Sequence, residues 1–257
     1  MNSQSYVTKE RIDKVSLWKD KTPSLVKLDM ELTAKADLCF VTAHGLYEDR
    51  RHLSENLHLS PNGVAADHFS RAKLPDTKIP EDVAQIPEPR IGFVGGLSDW
   101  IDFELLAKIA KIYPKYQIVL VGPLKRSVGT FGLETMPNVH FLGMKPLAEL
   151  PGYLKSFSCG LNPFRKIPLA DKVNPLKVYE YLAAGVPVVS VDMPEVRTLG
   201  DIILRAATDD EFVAGVEKAV TGQWKPDPAK VDAAVRRHDW NVIFGELLEK
   251  VATKISS

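Results

Sequence analysis

The sequence is 257 residues long, 45% hydrophobic and 26% charged, with 33 basic and 33 acidic side chains that cancel to a formal charge of zero. Ordinary globular usage excludes a disordered chain, and the balanced charge excludes a global field that would draw in nucleic acid or an anionic membrane. At about 150 residues per domain, one large or two modest domains fit, and any anion site must be local.

The first ten residues are polar, without the apolar core of a signal peptide, and apolar runs such as residues 118–121 fall far short of the about 20 residues a membrane helix needs. Cys39 and Cys159 sit in apolar runs and are too few for a disulfide framework or a four-thiolate zinc site, so a reducing, cytoplasmic location is expected. Leu25, Leu28 and Leu32 then recur at helical spacing. Residues 38–42 (LCFVT) predict a strand, 46–53 a helix and 57–60 a second strand. Two parallel strands make a poor sheet alone. This region therefore reads as the tail of a larger domain whose first part lies outside this chain, short of neighbours and open to self-association. Residues 73–89 hold Pro75, Pro80, Pro87 and Pro89 among charged side chains, which predicts a semi-extended linker that resists both helix and sheet. The expected division is 1–84 and 85–257.

Beyond the linker, short apolar runs alternate with helical patterns. Strands are predicted at 90–94, 117–121, 139–142, 158–162 and 187–191, with a weaker one at 202–205. Helices are predicted at 103–113, 147–157 and 175–184, and Thr208 with Glu211 has capping-box spacing for another running to about Val220. A last helix carries Trp240, Ile243, Phe244, Leu247, Leu248, Val251 and Ile255 on one face, as a packing element bridging domains. The alternation implies an α/β fold with a doubly wound parallel sheet covered on both faces.

The most informative stretch is 161–191, LNPFRKIPLADKVNPLKVYEYLAAGVPVVSV. Asn174 is a good N-cap and Pro175 suits the first helical position, so the free N–H groups of this helix would lie at the carboxyl edge of the sheet, where open α/β folds bind ligands. Arg165, Lys166, Lys172 and Lys177 surround that start, an arrangement suited to a phosphate or pyrophosphate. Glu180, one to two turns in, would accept hydrogen bonds from sugar hydroxyls. A solvated basic face with an i, i+3 pair between Lys177 and Glu180 accounts for the local pattern equally well.

The order and spacing of several segments go further. ADLCFVT, LHLSPNGV and HF within residues 36–69 are followed by IGFVGGLSDWIDFELL, QIVLVGP, FLG, NPLKVYEYLAAGVPVVS and HDWN. Together they resemble the donor-binding half of GT-B glycosyltransferases, specifically the retaining family 4 group and its bacterial teichuronic-acid or other exopolysaccharide sugar transferases. The resemblance implies a Rossmann-like C-terminal domain preceded by a partial remnant of the N-terminal one. It implies transfer of a hexosyl group from a nucleoside diphosphate sugar to a saccharide or lipid-linked acceptor in polysaccharide biosynthesis. The donor is a substrate, and no cofactor or metal is implied, since no paired Asp motif is present. Membrane association, if any, would be peripheral and through the missing half. The alternative is a non-catalytic nucleotide or sugar-nucleotide binding module of the same fold, and a chain lacking one half would bind nucleotide without turnover.

By position, Glu180 resembles the second glutamate of the family's paired-glutamate motif, which holds the ribose. The first is replaced by Lys172, eight residues earlier. Asn174, Pro175, Leu176 and Lys177 fall on the phosphate-facing loop, and Lys177 and Glu180 are the expected catalytic pair. The resemblance puts the Gly95–Gly96 turn against the phosphates, with Arg165 nearby, Lys125 and Arg126 as substitute pyrophosphate cations, and Met144 and Lys145 facing the base. The histidines His44, His52, His58 and His68 lack metal-ligand spacing and read as surface or capping residues. Trp100 reads as core packing rather than a ligand wall, and no nucleophile elbow, Walker loop or dinucleotide fingerprint occurs.

Overall fold

In the computed structural model, which describes residues 23–126, 128–168 and 170–256, two parallel sheets share the chain. The smaller pairs β1 (Cys39–Val41) with β2 (Leu57–Leu59), in register Cys39 to Leu57, across the helix His44–Arg50. The larger contains β3 (Arg90–Val94), β4 (Gln117–Val121), β5 (Val139–Gly143), β6 (Cys159–Asn162), β7 (Val188–Val191) and β8 (Leu204–Ala206). Its order is β5-β4-β3-β6-β7-β8 and every pairing is parallel. The chain steps outward from β3 in one direction, then returns to β6 and steps outward in the other, so the β3/β6 boundary is the topological switch point. The predicted doubly wound sheet is therefore present.

The strands form because they are apolar on both faces: β3, β6 and β7 are buried along their whole length. Helices 103–112, 176–184 and 209–220 cover them, the last with the predicted capping box between Thr208 and Glu211. The weak strand lies two residues later than expected, at Leu204–Ala206, and Leu147–Glu149 is a 3-10 turn ahead of the short helix Leu150–Lys155.

Several expectations are corrected. The proline-rich segment is tied down rather than loose: Val83 and Ile86 belong to the main core, and a helical turn forms at Glu81–Ala84. Lys155 donates to the carbonyls of Leu74, Pro75 and Thr77, which ties the segment to the main unit beside its own turn bonds. Val64, Phe69 and Ala72 also belong to the main core, so the division between the two cores falls between Leu59 and Val64, earlier than the 84/85 boundary expected. The helices Ala66–Ser70, Pro194–Arg197 and Pro228–Arg237 also went unpredicted. In Pro23–Lys35 the leucines Leu28 and Leu32 face solvent, and the buried positions are instead Asp29 and Thr33, because Asp29 pairs at 2.8 Å with the buried Arg50. In Trp240–Ser256 only Ile243 is buried, while Phe244, Leu248 and Ile255 are exposed.

Candidate functional site

The switch point brings two turns together. After β3, Gly95 adopts φ +145°, and after β4, Gly122 adopts φ +141° with its Cα so close to the Gly95 carbonyl that a Cβ would stand 1.9 Å from that oxygen. Only glycine satisfies both demands. After β6, the Phe164 segment bridges to Ile101, the Arg165 amide donates to the Trp100 carbonyl at 2.8 Å, and the Asp102 amide donates to the Pro163 carbonyl at 2.8 Å. These bonds hold the β3 and β6 loops as two walls of a crevice.

Its floor is the start of the helix Leu176–Ala184. A Cβ on Gly95 would touch Lys177 Cε at 3.3 Å, so lysine and glycine turn are in contact. The Lys177 ammonium lies 5.2 Å from the Phe93 ring centroid and 4.5 Å from that of Phe164, and it has no hydrogen-bond or ion-pair partner among the described residues. Burial lowers its pKa from 10.5 to about 8, against the opposing attraction of Glu180. Glu180, one turn on, is half-buried, and burial raises its carboxyl from 4.5 to about 6, partly offset by Lys177. The two side chains interact through space without closing an ion pair, so the simple i, i+3 surface pair does not form. The Lys177 cation is left lining the crevice.

Two cavities flank the residue 165–171 loop. One, of about 260 Å³, is lined by Gly96, Trp100, Phe164, Arg165, Val173 and Lys177. The other, of about 360 Å³, is lined by Arg165, Lys166, Asp171, Asp192 and Met193 among others. The second falls in the roughly 300–1,000 Å³ class of small-molecule pockets, and the first lies just below it. Trp100 is 45% exposed and forms a cavity wall, not the core residue expected.

The other expected residues divide. Gly95, Gly96, Arg165 and Lys177 converge on the crevice, Glu180 lies within electrostatic reach of Lys177 one turn along the helix, and Leu176 is exposed at the helix start. Lys125 pairs with Asp99 at 2.5 Å, and Arg126 is exposed beside it. Met144 is 78% exposed past the end of β5, whereas Lys145 turns back to Asp82 at 2.6 Å and lies over the Tyr153 ring. Lys166 donates to the Ala207 carbonyl and Lys172 pairs with Asp49 of the smaller unit, so the basic cluster read from the sequence is dispersed. Asn174 does not cap the helix. The N-cap position is Pro175, without a side-chain cap, and the Asn174 amide instead donates to Glu195 Oε2 at 3.1 Å and to the Tyr179 hydroxyl at 3.3 Å. Sequence reasoning missed Glu195, a carboxylate 2% exposed that sits between this asparagine and His44. His68 contacts the Leu147 carbonyl, and no group of three metal-ligating side chains occurs among the described residues.

The family described as Glycosyl transferases group 1 matches residues 88–221, which span the whole crevice. A Bacillus subtilis (strain 168) protein, TuaH, named as a glycosyltransferase of teichuronic acid biosynthesis, is 30% identical over 204 residues, covering 76% of this chain and 50% of that protein. The chain thus spans about half the length of that relative. Among solved structures, the Anabaena protein HepE in complex with UDP-glucose superposes with a TM-score of 0.72 at 15% identity, over 94% of this chain and 71% of that one. Sucrose-phosphate synthase from Thermosynechococcus elongatus gives a TM-score of 0.68 at 18% identity, over 94% and 66%. No described helix is long and apolar enough to cross a membrane.

Proposed function

The chain belongs to the group 1 glycosyl transferases, matched over more than half of its length, and from that premise we propose that its six-stranded unit binds a nucleoside diphosphate sugar for hexosyl transfer. The observation that carries the reading is the Lys177 ammonium, held against Gly95 at the switch point with no hydrogen-bond or ion-pair partner among the described residues. A diphosphate supplies an anion for it, and the Gly96 amide and the first amides of the Leu176–Ala184 helix supply donors, the Gly95 amide being committed to the Val121 carbonyl. Arg165, from the cavity wall, adds a second positive charge, and Lys125 and Arg126 reach the same edge of the sheet. Glu180 accepts from ribose hydroxyls, and Met144 lies where a base would end.

As the glycosidic bond breaks, negative charge grows on the departing diphosphate, and preorganised donors aimed there stabilise the transition state without a covalent step. Retention of anomeric configuration and a saccharide or lipid-linked acceptor from polysaccharide biosynthesis complete the proposal. The complex of HepE with UDP-glucose supports UDP as the first nucleotide to try.

The Lys172–Asp49 ion pair favours a second reading, a nucleotide-binding module without transfer, because it occupies the position expected of the family's first glutamate. Calorimetry with UDP, GDP and ADP on the wild type and on Lys177→Ala and Glu180→Ala tests the site. Binding that both substitutions leave unchanged removes the assignment, and transfer to an added acceptor separates enzyme from module.

A further inference from the structure

Glu195 lies in the four-residue helix Pro194–Arg197 that follows β7, and it is nearly fully buried. Oε1 accepts from the His44 backbone amide at 2.6 Å and faces His44 Nδ1 at 3.1 Å, while Oε2 accepts from the Asn174 amide at 3.1 Å. His44 opens the helix His44–Arg50, whose N-cap residue Ala43 offers no side-chain cap. The capping carboxylate therefore arrives from 151 residues away. Oxygens this buried need hydrogen-bond donors, and these partners supply them.

The other end of this link is the turn ahead of the Lys177 helix. Asn62 Nδ2 donates to the Asn174 carbonyl at 2.7 Å, Lys172 pairs with Asp49, and Gly45 is so close that a Cβ there would stand 2.5 Å from the Asp171 carbonyl oxygen. The smaller unit thus grips residues 171–174 at several points, and Glu195 is the buried one. Asn174 also reaches Tyr179, whose ring stacks on His238 at 4.3 Å. The His238 carbonyl in turn accepts from the Val64 amide, where the chain crosses between the units.

We propose that Glu195 is a positioning residue that fixes the Asn174 turn, and through it Lys177 and the helix start, relative to the smaller unit, so that nucleotide affinity depends on a contact made at His44. This rests on the nucleotide-sugar reading above. The polarity of the link provides its test. Glu195→Gln keeps an acceptor for the His44 amide but turns an NH2 group toward the NH2 group of Asn174, which pairs with it only by flipping its buried, unpartnered oxygen into that place and so giving up its native orientation. Adding Asn174→Asp restores a donor–acceptor pair and the original charge.

Calorimetry with UDP is expected to show roughly tenfold weaker binding for Glu195→Gln and recovery to within about threefold of wild type in the double variant, at melting temperatures that identify folded protein. Should Glu195→Gln not fold, Glu195→Asp, shorter by one methylene, is read in its place with the same weakening. Affinity unchanged in the single variant overturns the proposal, and so does weakening that the compensating substitution fails to rescue. Absence of UDP binding by the wild type overturns the donor-site reading together with this one, whereas binding that survives the single variant overturns this one alone.

Discussion

Replacing Lys177 by Met is expected to stabilise the fold and weaken nucleotide binding, two effects of opposite sign from one side chain. Burial lowers the lysine from 10.5 to about 8, and that difference corresponds to about 3 kcal/mol against its charged form. The cost is fully present below pH 8, where the ammonium persists in the fold, and it disappears as the pH rises from 8 to 10.5 and the buried amine loses its proton. Methionine fills the space between the Phe93 and Phe164 rings without a charge, so Lys177→Met gains up to about 3 kcal/mol at pH 7 and progressively less at higher pH. A diphosphate loses a charge-assisted contact of about 1.5–3 kcal/mol, which weakens its Kd roughly tenfold to hundredfold. Wild-type UDP binding near pH 8 should take up about half a proton as the ammonium is restored. Urea unfolding at pH 7 and 9.5 reads the stability, and calorimetry in two buffers of different ionisation enthalpy reads the affinity and the proton. A variant less stable than wild type at pH 7, or one that binds UDP as tightly, refutes the reasoning.

Glu180→Gln is expected to gain about 2 kcal/mol at pH 7 and nothing at pH 4, because burial raises the carboxyl from 4.5 to about 6 and the cost of ionisation exists only above that range. The same variant should bind UDP more weakly and inorganic pyrophosphate as before, since only the ribose contact is lost, and calorimetry with both ligands checks it. Gly122→Ala should cost more than about 2 kcal/mol in urea unfolding, with its Cβ driven onto the Gly95 carbonyl, while Gly96→Ala, which meets open space, should cost less than about 1 kcal/mol. Tyr181→Phe removes the hydroxyl that accepts from the Val94 amide at 2.8 Å and leaves that buried donor unpaired, for an expected loss of about 1–3 kcal/mol by the same measurement.

The strands were readable because a sheet covered on both faces selects predominantly apolar runs without strict alternation, and 90–94, 117–121 and 187–191 are such runs, with Arg90, Gln117 and Ser190 as their polar members. The helix Pro228–Arg237 was not, although its signals were present: Asp227 caps it by accepting from the Ala229 amide, and Pro228 occupies its first turn. Its buried face is only Val231, Ala234 and Val235, too small to stand out among four charged neighbours. Leu28 and Leu32 misled for the opposite reason. Apolar spacing marks a face but not which way it turns, and the buried Asp29–Arg50 pair turned it outward.

The site shows the same limit more sharply, because local pattern specifies which side chains are near a turn and tertiary contacts specify which of them remain available. Lys125, Lys166 and Lys172 belonged to the expected positive field and Lys145 to the loop expected to face the base, and each is tied to a protein oxygen: Asp99 for Lys125, the Ala207 carbonyl for Lys166, Asp49 for Lys172 and Asp82 for Lys145. Lys177 differs because its contacts are two aromatic rings from the ends of β3 and β6 and a glycine without a Cβ, while Glu180 attracts it without closing an ion pair. A basic cluster read along the sequence therefore overstates a site. The lysine that matters is the one the fold buries and declines to neutralise, and that is decided by residues more than eighty positions apart in the chain, Phe93 and Lys177, meeting where the sheet reverses its winding.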